Sequence, residues 1–161
     1  MPTSKPAQTQ VQLKQFLQFE LPPQTSAMLP TSQLTEILSL SLGQVVPIPD
    51  LPSFIMGVCN WRGEVLWLVD LGCLLGFEPL YSQGLYRGQV SIVVAHHQQQ
   101  TVGLAVEKIN QMLWCDPNRI RASMPSRVTP ELAHCLRGYW SPPGDRVSLI
   151  LDGESLITSL R

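Results

Sequence analysis

The sequence predicts a mainly β, barrel-like protein with a few short helices. Apolar segments of strand length recur at intervals of roughly 8–12 residues, separated by turn-forming residues, which is typical of small barrels. The chain has 161 residues, of which 44% are hydrophobic and 14% are charged, so it has enough apolar material to bury a core. No internal repeat of fixed period is visible in the sequence.

The N-terminal segment predicts a polar tail followed by a β-hairpin. Residues 1–10 are polar and are expected to form a flexible tail, which leaves a single domain over residues 11–161. Residues 11–20 alternate between apolar and polar side chains, as a half-buried strand does. The double proline at 22–23 indicates a turn, and residues 25–29 then form the returning strand.

The next segment predicts two short helical pieces on either side of an extended stretch. Leu34, Ile37 and Leu38 have the spacing of one helix face and follow a proline that is suited to a helix start. Two prolines keep residues 45–49 extended, because each disfavours the helical conformation of the residue before it. Ser53 is placed to cap a single helical turn that follows it.

Residues 65–69 are apolar at every position, which predicts a central strand buried on both faces. Asp70 is then expected to cap a short helix that ends at Gly76. Because Trp67 lies in the middle of this strand, its replacement by alanine is expected to cost on the order of 3–5 kcal/mol.

The second half of the chain predicts more short strands and a C-terminal helix. Polar residues at 96–100 connect two apolar strands as a solvated hairpin turn. The predicted elements are a loop at 78–88, strands at 89–95 and 101–106, a strand or mixed segment at 107–115, an irregular segment at 116–129, a helix at 130–137, a strand at 147–151 and a helix at 154–160.

Charge and hydropathy exclude several classes of partner. The net charge is −1 and the pI is about 6.3, so the sequence lacks the basic patches that nucleic acids and acidic membrane surfaces require. The N-terminal residues do not resemble a signal peptide, and the longest apolar segment, residues 65–77, is too short and too interrupted to span a bilayer. We therefore expect a cytoplasmic protein with no nucleic-acid partner and no direct membrane insertion.

The chemistry-bearing residues do not form an obvious active site. The cysteines at 59, 73, 115 and 135 have neither disulfide-framework nor zinc-site spacing, so reduced and mostly buried thiols are expected. There is no phosphate-binding loop and no nucleophile elbow, and we predict a non-enzyme that needs no cofactor. A thiol- or metal-dependent enzyme built from Cys59, Cys135 and His134 remains an alternative. Asp70 and Asp152 are expected to cap helices.

The turn between two strands at residues 60–63 is open to two interpretations. Asn60 and Gly63 suit the left-handed geometry of a tight turn, so Arg62 is either only solvated or a charged group placed at an interface. Arginine is frequent among the residues that dominate protein–protein binding energies.

Several motifs, taken in chain order, resemble the CheW-like family of chemotaxis coupling proteins. The resemblance covers about residues 13–158. Trp61 departs from the family pattern, which often has a small aliphatic residue at that position. The matching residues are Glu36-Ile37, Pro49, Pro52, Gly57, Asn60, Arg62-Gly63, Asp70-Leu71, the segment VGLAVE at 102–107 and ILD at 150–152.

The resemblance implies a fold of two small five-stranded β-barrel subdomains around a shared hydrophobic core. It also implies two partners, namely the cytoplasmic tip of a chemoreceptor and the regulatory domain of a CheA-type histidine kinase. The positions that it assigns to the receptor, the receptor set, are Glu36, Ile37, Asn60, Arg62 and Gly63. Those that it assigns to the kinase, the kinase set, are Pro49, Phe54, Val65, Leu71 and Leu75.

The function that this resemblance implies is a stand-alone, non-enzymatic adaptor in a taxis or motility pathway, cytoplasmic and recruited to receptor arrays at the inner face of the membrane. The stimulus, whether light, a chemical or a surface, is not encoded in these motifs. An adaptor of a chemotaxis-like kinase pathway that controls pili or gene expression without a classical receptor is the alternative within the same fold.

Overall fold

The computed structural model describes residues 12–80, 88–122 and 129–160. Within these ranges the chain is mainly β, with three short helices and a few 3₁₀ turns. The strands are β1 Lys14–Leu21, β2 Thr25–Pro30, β3 Leu34–Ser41, β4 Ile55–Trp61, β5 Glu64–Asp70, β6 Gln89–His97, β7 Gln100–Val106, β8 Lys108–Cys115, β9 Leu136–Trp140 and β10 Ser148–Leu151, and the helices are α1 Leu71–Leu74, α2 Pro130–Cys135 and α3 Gly153–Thr158.

The strands form two five-stranded sheets, which confirms the predicted fold class. Sheet A has the order β8-β1-β2-β10-β9, and sheet B has the order β3-β6-β7-β5-β4. Most neighbours are antiparallel, but β2 runs parallel to β10 and β5 runs parallel to β7. Neither order returns to its first strand, so each sheet has two edge strands where a closed barrel would have none.

The two sheets contain an exchanged internal repeat that the sequence did not show. The five strands β1–β5 followed by α1 correspond in order to the five strands β6–β10 followed by α3, and α2 is an additional helix between β8 and β9. The hairpin β1–β2 leaves its own series to join β8, β9 and β10 in sheet A, while β6–β7 joins β3, β4 and β5 in sheet B. Equivalent strands therefore pair in equivalent ways, although their side chains differ.

The irregularities of the backbone repeat as well. In β4 and in β9 a glycine with φ near the upper end of the left-handed range precedes a residue that pairs with a segment outside the strands. These positions are Gly57 (φ 142°) before the Val58–Val46 bridge, and Gly138 (φ 149°) before the Tyr139–Arg121 bridge. The agreement supports the assignment of two equivalent units.

A shared apolar core lies between the sheets. Phe19 and Leu29 of sheet A and Val93 and Leu104 of sheet B are buried in it together with Leu71 of α1. The opposite face of each sheet covers a second, smaller apolar cluster. The first cluster confirms the shared core that was expected between the two units, because it contains side chains from both sheets. Burial of this apolar surface stabilises the packing of one sheet on the other.

Several local predictions are confirmed. The hairpins β1–β2 and β6–β7 occur as expected. The Asp70 carboxylate accepts a hydrogen bond from the Cys73 N–H at 3.2 Å and caps α1, and the Asp152 carboxylate caps α3 in the same way. The helix α1 is followed by Gly76 with φ 86°, a conformation that glycine adopts without strain.

The predicted helix at Leu34–Leu38 is wrong, because these residues form the start of β3. The strand pairs with β6 over its whole length, and half-buried and exposed side chains alternate along it. Strand pairing therefore overrides a helical spacing that only three apolar residues define. The helical turn expected after Ser53 is also wrong, since β4 begins at Ile55, and the strand β9 was not predicted.

The prediction that residues 65–69 are buried on both faces is wrong as well. Leu66 and Leu68 are buried, but Val65 is 69% exposed and Trp67 is 43% exposed. The stretch is therefore apolar on a face that the described part of the chain does not cover. The predicted tail at 1–10, and the parts of the predicted loops at 81–87 and 123–128, lie outside the described residues.

Stability at acid pH should depend on Asp152. Burial raises the pKa of this carboxyl group, but hydrogen bonds from Gln33, Ser155 and Arg137 outweigh that effect and lower the pKa to about 2, from 3.8 in an unfolded chain. The stabilisation is present above about pH 4 and is lost as the pH falls toward 2, which amounts to about 2 kcal/mol. Urea unfolding of the wild type and of Asp152→Asn between pH 6 and pH 2 tests this. Equal pH slopes in the two proteins would contradict it.

Candidate functional site

The hairpin between β4 and β5 has a two-residue turn. Trp61 pairs with Glu64, and the two residues between them, Arg62 and Gly63, have φ of 55° and 79°. This is the pattern of a type I′ turn, which suits the twist of a hairpin but is unusual for arginine. The Asn60 side-chain oxygen accepts a hydrogen bond from the Gly63 N–H at 3.0 Å. Asn60 and Gly63 therefore shape the turn, and Arg62 is carried at its tip.

Three side chains meet beside this turn, and we call them the Glu36 cluster: Glu36, Trp61 and Arg62. The Arg62 guanidinium forms an ion pair with the Glu36 carboxylate, at 2.5 Å between Nη2 and Oε1. The Trp61 indole N–H donates to the same carboxylate oxygen at 2.9 Å. The Arg62 guanidinium carbon also lies 4.9 Å from the centroid of the Trp61 ring. The cluster is thus a charge pair held by a hydrogen bond and a cation–π contact.

The Glu36 cluster connects the two edges of sheet B. Glu36 belongs to β3 and Trp61 to β4, which are the first and last strands of the sheet and share no backbone ladder. Side chains rather than backbone hydrogen bonds therefore link the strands at this point. The structure brings four members of the receptor set together here. Ile37, the fifth, is 40% exposed and, as the next residue of β3, points away from Glu36.

Sheet B also presents an exposed apolar face. Val46 pairs with Val58 of β4, and Val58 is in register with Trp67 of β5, so these residues are neighbours across the sheet. Val65 lies two residues from Trp67 on the same face of β5. We call this surface the apolar face, and its exposed members are Val46, Ile48, Leu51, Val65 and Trp67.

A groove of about 340 Å³ adjoins the apolar face. Its lining includes Leu51, Phe54, Trp67, Val102 and Leu160. Three members of the kinase set are therefore at least partly accessible. Phe54 lines the groove, Pro49 is exposed in the preceding segment, and Val65 is exposed on β5.

The other two members of the kinase set cannot form direct contacts. Leu71 and Leu75 are completely buried in the shared core. The resemblance assigned them to a partner as part of the strand–helix region from Val65 to Leu75, but the spacing of apolar residues on a helix does not show which molecule covers them. Trp61, Trp67 and Val46 were not predicted to be surface contacts. For Trp67 the available signal was period-2 alternation, and it is absent because residues 65–69 are all apolar.

The thiols do not support the enzyme alternative. Cys59, Cys115 and Cys135 are buried, and burial raises the pKa of each, in the case of Cys115 to about 11. A raised pKa leaves little of the reactive thiolate at neutral pH. Within the residues that the structure describes, no group of three or more His, Cys, Asp or Glu side chains is arranged to hold a metal ion.

Only Cys73 among the four cysteines is partly accessible. We expect a water-soluble maleimide to modify Cys73 first in the native protein, and to modify the other three only after denaturation. Mass spectrometry of the labelled peptides measures the order, with Cys73→Ser as the control for the rapid site. Rapid modification of Cys59 or Cys135 in the native state would restore the possibility of a reactive thiol.

None of the helices in the described part of the chain has the length and apolar composition that crossing a membrane requires.

Comparisons with known proteins agree with the resemblance seen in the sequence. Residues 15–161 match the family model of the CheW-like domain. The chemotaxis protein CheW of Klebsiella aerogenes is 29% identical over 117 residues, which cover 72% of this chain and 66% of that protein. The chemotaxis protein CheW of Rhizobium meliloti is 30% identical over 87 residues, which cover 54% of this chain and 50% of that protein. The chain thus matches less than two thirds of the length of each of these relatives.

A solved structure shows the same fold. The scaffolding protein TtCheW from Thermoanaerobacter tengcongensis has a TM-score of 0.70 and 23% sequence identity, and the match covers 87% of this chain and 89% of that one. Proteins of the matched family are scaffolds rather than enzymes, which confirms the prediction that this chain is not an enzyme. Since the family model extends over nearly the whole chain, the protein belongs to the CheW-like domain family.

Proposed function

We propose that this protein is a non-enzymatic adaptor that connects the cytoplasmic tip of a chemoreceptor to a CheA-type histidine kinase in a taxis or motility pathway. It acts in the cytoplasm, at receptor arrays on the inner face of the membrane. Membership in the CheW-like family supports the class of protein. The two surfaces of sheet B support the idea of two partners, because one is charged and the other is apolar.

The observation that carries the proposal is the exposure of the apolar face. Val65 and Trp67 are exposed on one face of a strand whose other face is buried. Val46 and Leu51 adjoin this surface, and the exposed Ile48 lies between them in the chain. A contiguous apolar surface on a folded protein is typical of a protein–protein interface. We assign this face, together with Pro49 and Phe54, to the regulatory domain of the kinase. Leu71 and Leu75 support it from the core.

The Glu36 cluster is assigned to the receptor. Its exposed guanidinium offers a charged group on one face of the edge strand β3, and Ile37 offers an exposed apolar group on the other face of the same strand. An amphipathic helix presents acids, amides and apolar residues in the same way, so a helical receptor tip has complementary chemistry. Asn60 and Gly63 contribute by fixing the turn that carries Arg62.

Separate loss of the two partners tests the proposal. We expect Val65→Glu to weaken binding of the kinase regulatory domain by about tenfold or more, and to leave binding of a receptor-tip fragment unchanged, because it places a charge in the apolar face. Arg62→Glu is expected to have the opposite pattern. Calorimetric titration of purified partners from the source organism measures both affinities.

A matched control is available from the internal repeat. Val147 is equivalent to Val65 by strand register, because each lies three residues before the residue opposite the equivalent glycine, and it is similarly exposed. Val147→Glu should bind the kinase regulatory domain and the receptor-tip fragment with affinities within about twofold of those of the wild type, as expected of a neutral surface change. Kinase binding by the wild type without any receptor binding would favour the pathway that lacks a classical receptor. Binding of neither partner would refute the adaptor function.

A further inference from the structure

We propose that Trp61 is a positioning residue that holds the Arg62 guanidinium ready to bind a carboxylate of the partner, with Glu36 as the fixed point. The proposal rests on the receptor-binding role proposed above and specifies how that surface recognises its partner. It concerns a tryptophan that departs from the family pattern, at a position where a small aliphatic residue is frequent.

The contacts of Arg62 restrain it without using up its hydrogen-bonding capacity. Its side chain is 62% exposed. Among the described residues it has one ion pair, to Glu36, and one ring contact, to Trp61. A guanidinium group has five N–H donors in a planar arrangement that matches a carboxylate. A single contact to Glu36 therefore leaves donors directed to solvent, where a second carboxylate has room to bind.

Trp61 acts on Arg62 in two ways. Its ring stacks beside the guanidinium, and its indole N–H holds the Glu36 oxygen that pairs with Arg62. Both contacts reduce the number of conformations that the long arginine side chain samples in the free protein. Restraint before binding lowers the entropy lost on binding, so it raises affinity without adding a contact to the partner.

The equivalent position in sheet A has a different, uncharged arrangement. By strand register, Gln111 of β8 is opposite Gln18 of β1, as Glu36 of β3 is opposite Val94 of β6. The exposed Gln111 side chain donates its amide N–H to the side-chain oxygen of the buried Gln18 on the adjacent strand, at 3.0 Å. Val94 offers no such partner, and the Glu36 carboxylate turns to Trp61 and Arg62 instead.

The comparison favours a binding role over a purely structural one. In sheet A an exposed neutral amide bonds only to the neighbouring strand, whereas in sheet B a half-buried carboxylate holds an exposed guanidinium and an aromatic ring across the edge of the sheet. A partner segment with a carboxylate on one face of a helix fits this site, because its acid and the Arg62 fork form parallel N–H···O bonds. The ionic component makes binding sensitive to salt.

A double-mutant cycle tests the coupling between the two residues. The probe is a purified cytoplasmic tip fragment of a chemoreceptor from the source organism, titrated into wild type, Trp61→Leu, Arg62→Gln and the double variant. We expect about a tenfold loss of affinity for Arg62→Gln and a three- to tenfold loss for Trp61→Leu. In the Arg62→Gln background the tryptophan replacement should cost less than about twofold. Equal losses in the two backgrounds would overturn the proposal while leaving receptor binding intact.

A conservative variant separates positioning from packing. Trp61→Phe keeps a ring beside Arg62 but removes the N–H that holds Glu36. It should fold like the wild type and bind with an affinity between those of the wild type and Trp61→Leu. An affinity for Trp61→Phe equal to that of wild type would show that the indole hydrogen bond has no part in positioning.

A partner-independent measurement distinguishes failure of this inference from failure of the proposed function. The Arg62 side-chain Nε–H signal gives an NMR order parameter in the free protein. We expect an order parameter near those of the rigid backbone, about 0.8, in the wild type and below about 0.6 in Trp61→Leu. An equally mobile Arg62 in both proteins would overturn the inference even if the receptor fragment binds. If the wild type does not bind the fragment, the receptor role fails, and the order parameters still decide whether Trp61 restrains Arg62.

Discussion

Replacement of Gly57 by alanine should destabilise the protein by about 3 kcal/mol or more, because both backbone conformation and space are unfavourable. Gly57 has φ of 142°, a value that residues with a Cβ rarely adopt. A Cβ built there would lie 2.2 Å from the carbonyl oxygen of Val46. That carbonyl accepts the Val58 N–H at 2.9 Å, and the Val46 N–H donates back to Val58 at 2.8 Å. The segment that carries Val46 would have to leave β4.

Urea unfolding at neutral pH measures this loss. Gly43→Ala is the control, because no atom outside its immediate neighbours lies within 4 Å of a Cβ placed there, and its free energy of unfolding should change little. Gly57→Ala should also weaken kinase binding, since Val46 belongs to the apolar face. A loss of less than about 1 kcal/mol would show that the 45–49 segment shifts freely, and would contradict a preformed apolar face.

Two neighbouring residues of β5 should respond to alanine in opposite ways. Leu68 is fully buried, and Leu68→Ala should cost about 2–5 kcal/mol through lost burial and the cavity left behind. Trp67 points to the other face and is 43% exposed, so Trp67→Ala should cost only about 1 kcal/mol. Trp67→Ala should instead weaken kinase binding about tenfold, as loss of a central aromatic contact does.

Thermal or urea unfolding gives the loss of stability in each variant, and titration of the kinase regulatory domain gives the kinase affinity of each. The comparison replaces the expectation from sequence that Trp67 is a core residue. A loss of 3 kcal/mol or more for Trp67→Ala would show that its ring is covered in the native protein, and the apolar face would then lose its main aromatic residue. Unchanged kinase binding at normal stability would move the kinase site elsewhere.

The errors of the sequence predictions have a common cause. Leu34, Ile37 and Leu38 have helical spacing, but their conformation is set by pairing with β6, more than fifty residues away. Residues 65–69 contain only apolar side chains, so alternation gave no sign of which face is covered. In each case the deciding contact is distant in sequence, and a local pattern does not encode it.

The candidate site was only partly accessible from the sequence. The family pattern brought attention to Glu36 and Arg62, and the structure places them in contact. It gave no role to Trp61, because a tryptophan there is a departure from the pattern. Its hydrogen bond to Glu36 appears only when β3 and β4 approach each other across the open edge of sheet B.

The sequence by itself determined the features that depend on neighbouring residues. Asp70 and Asp152 cap helices, Asn60 and Gly63 form a tight turn, and apolar alternation defines the first hairpin, because capping, turn geometry and side-chain period are local properties. Only the tertiary structure decided the exchange of hairpins between the two sheets, the burial of Leu71 and Leu75, and the exposure of Val65 and Trp67. These depend on which strands pair and which faces meet, and that is settled by the burial of apolar surface summed over the whole chain.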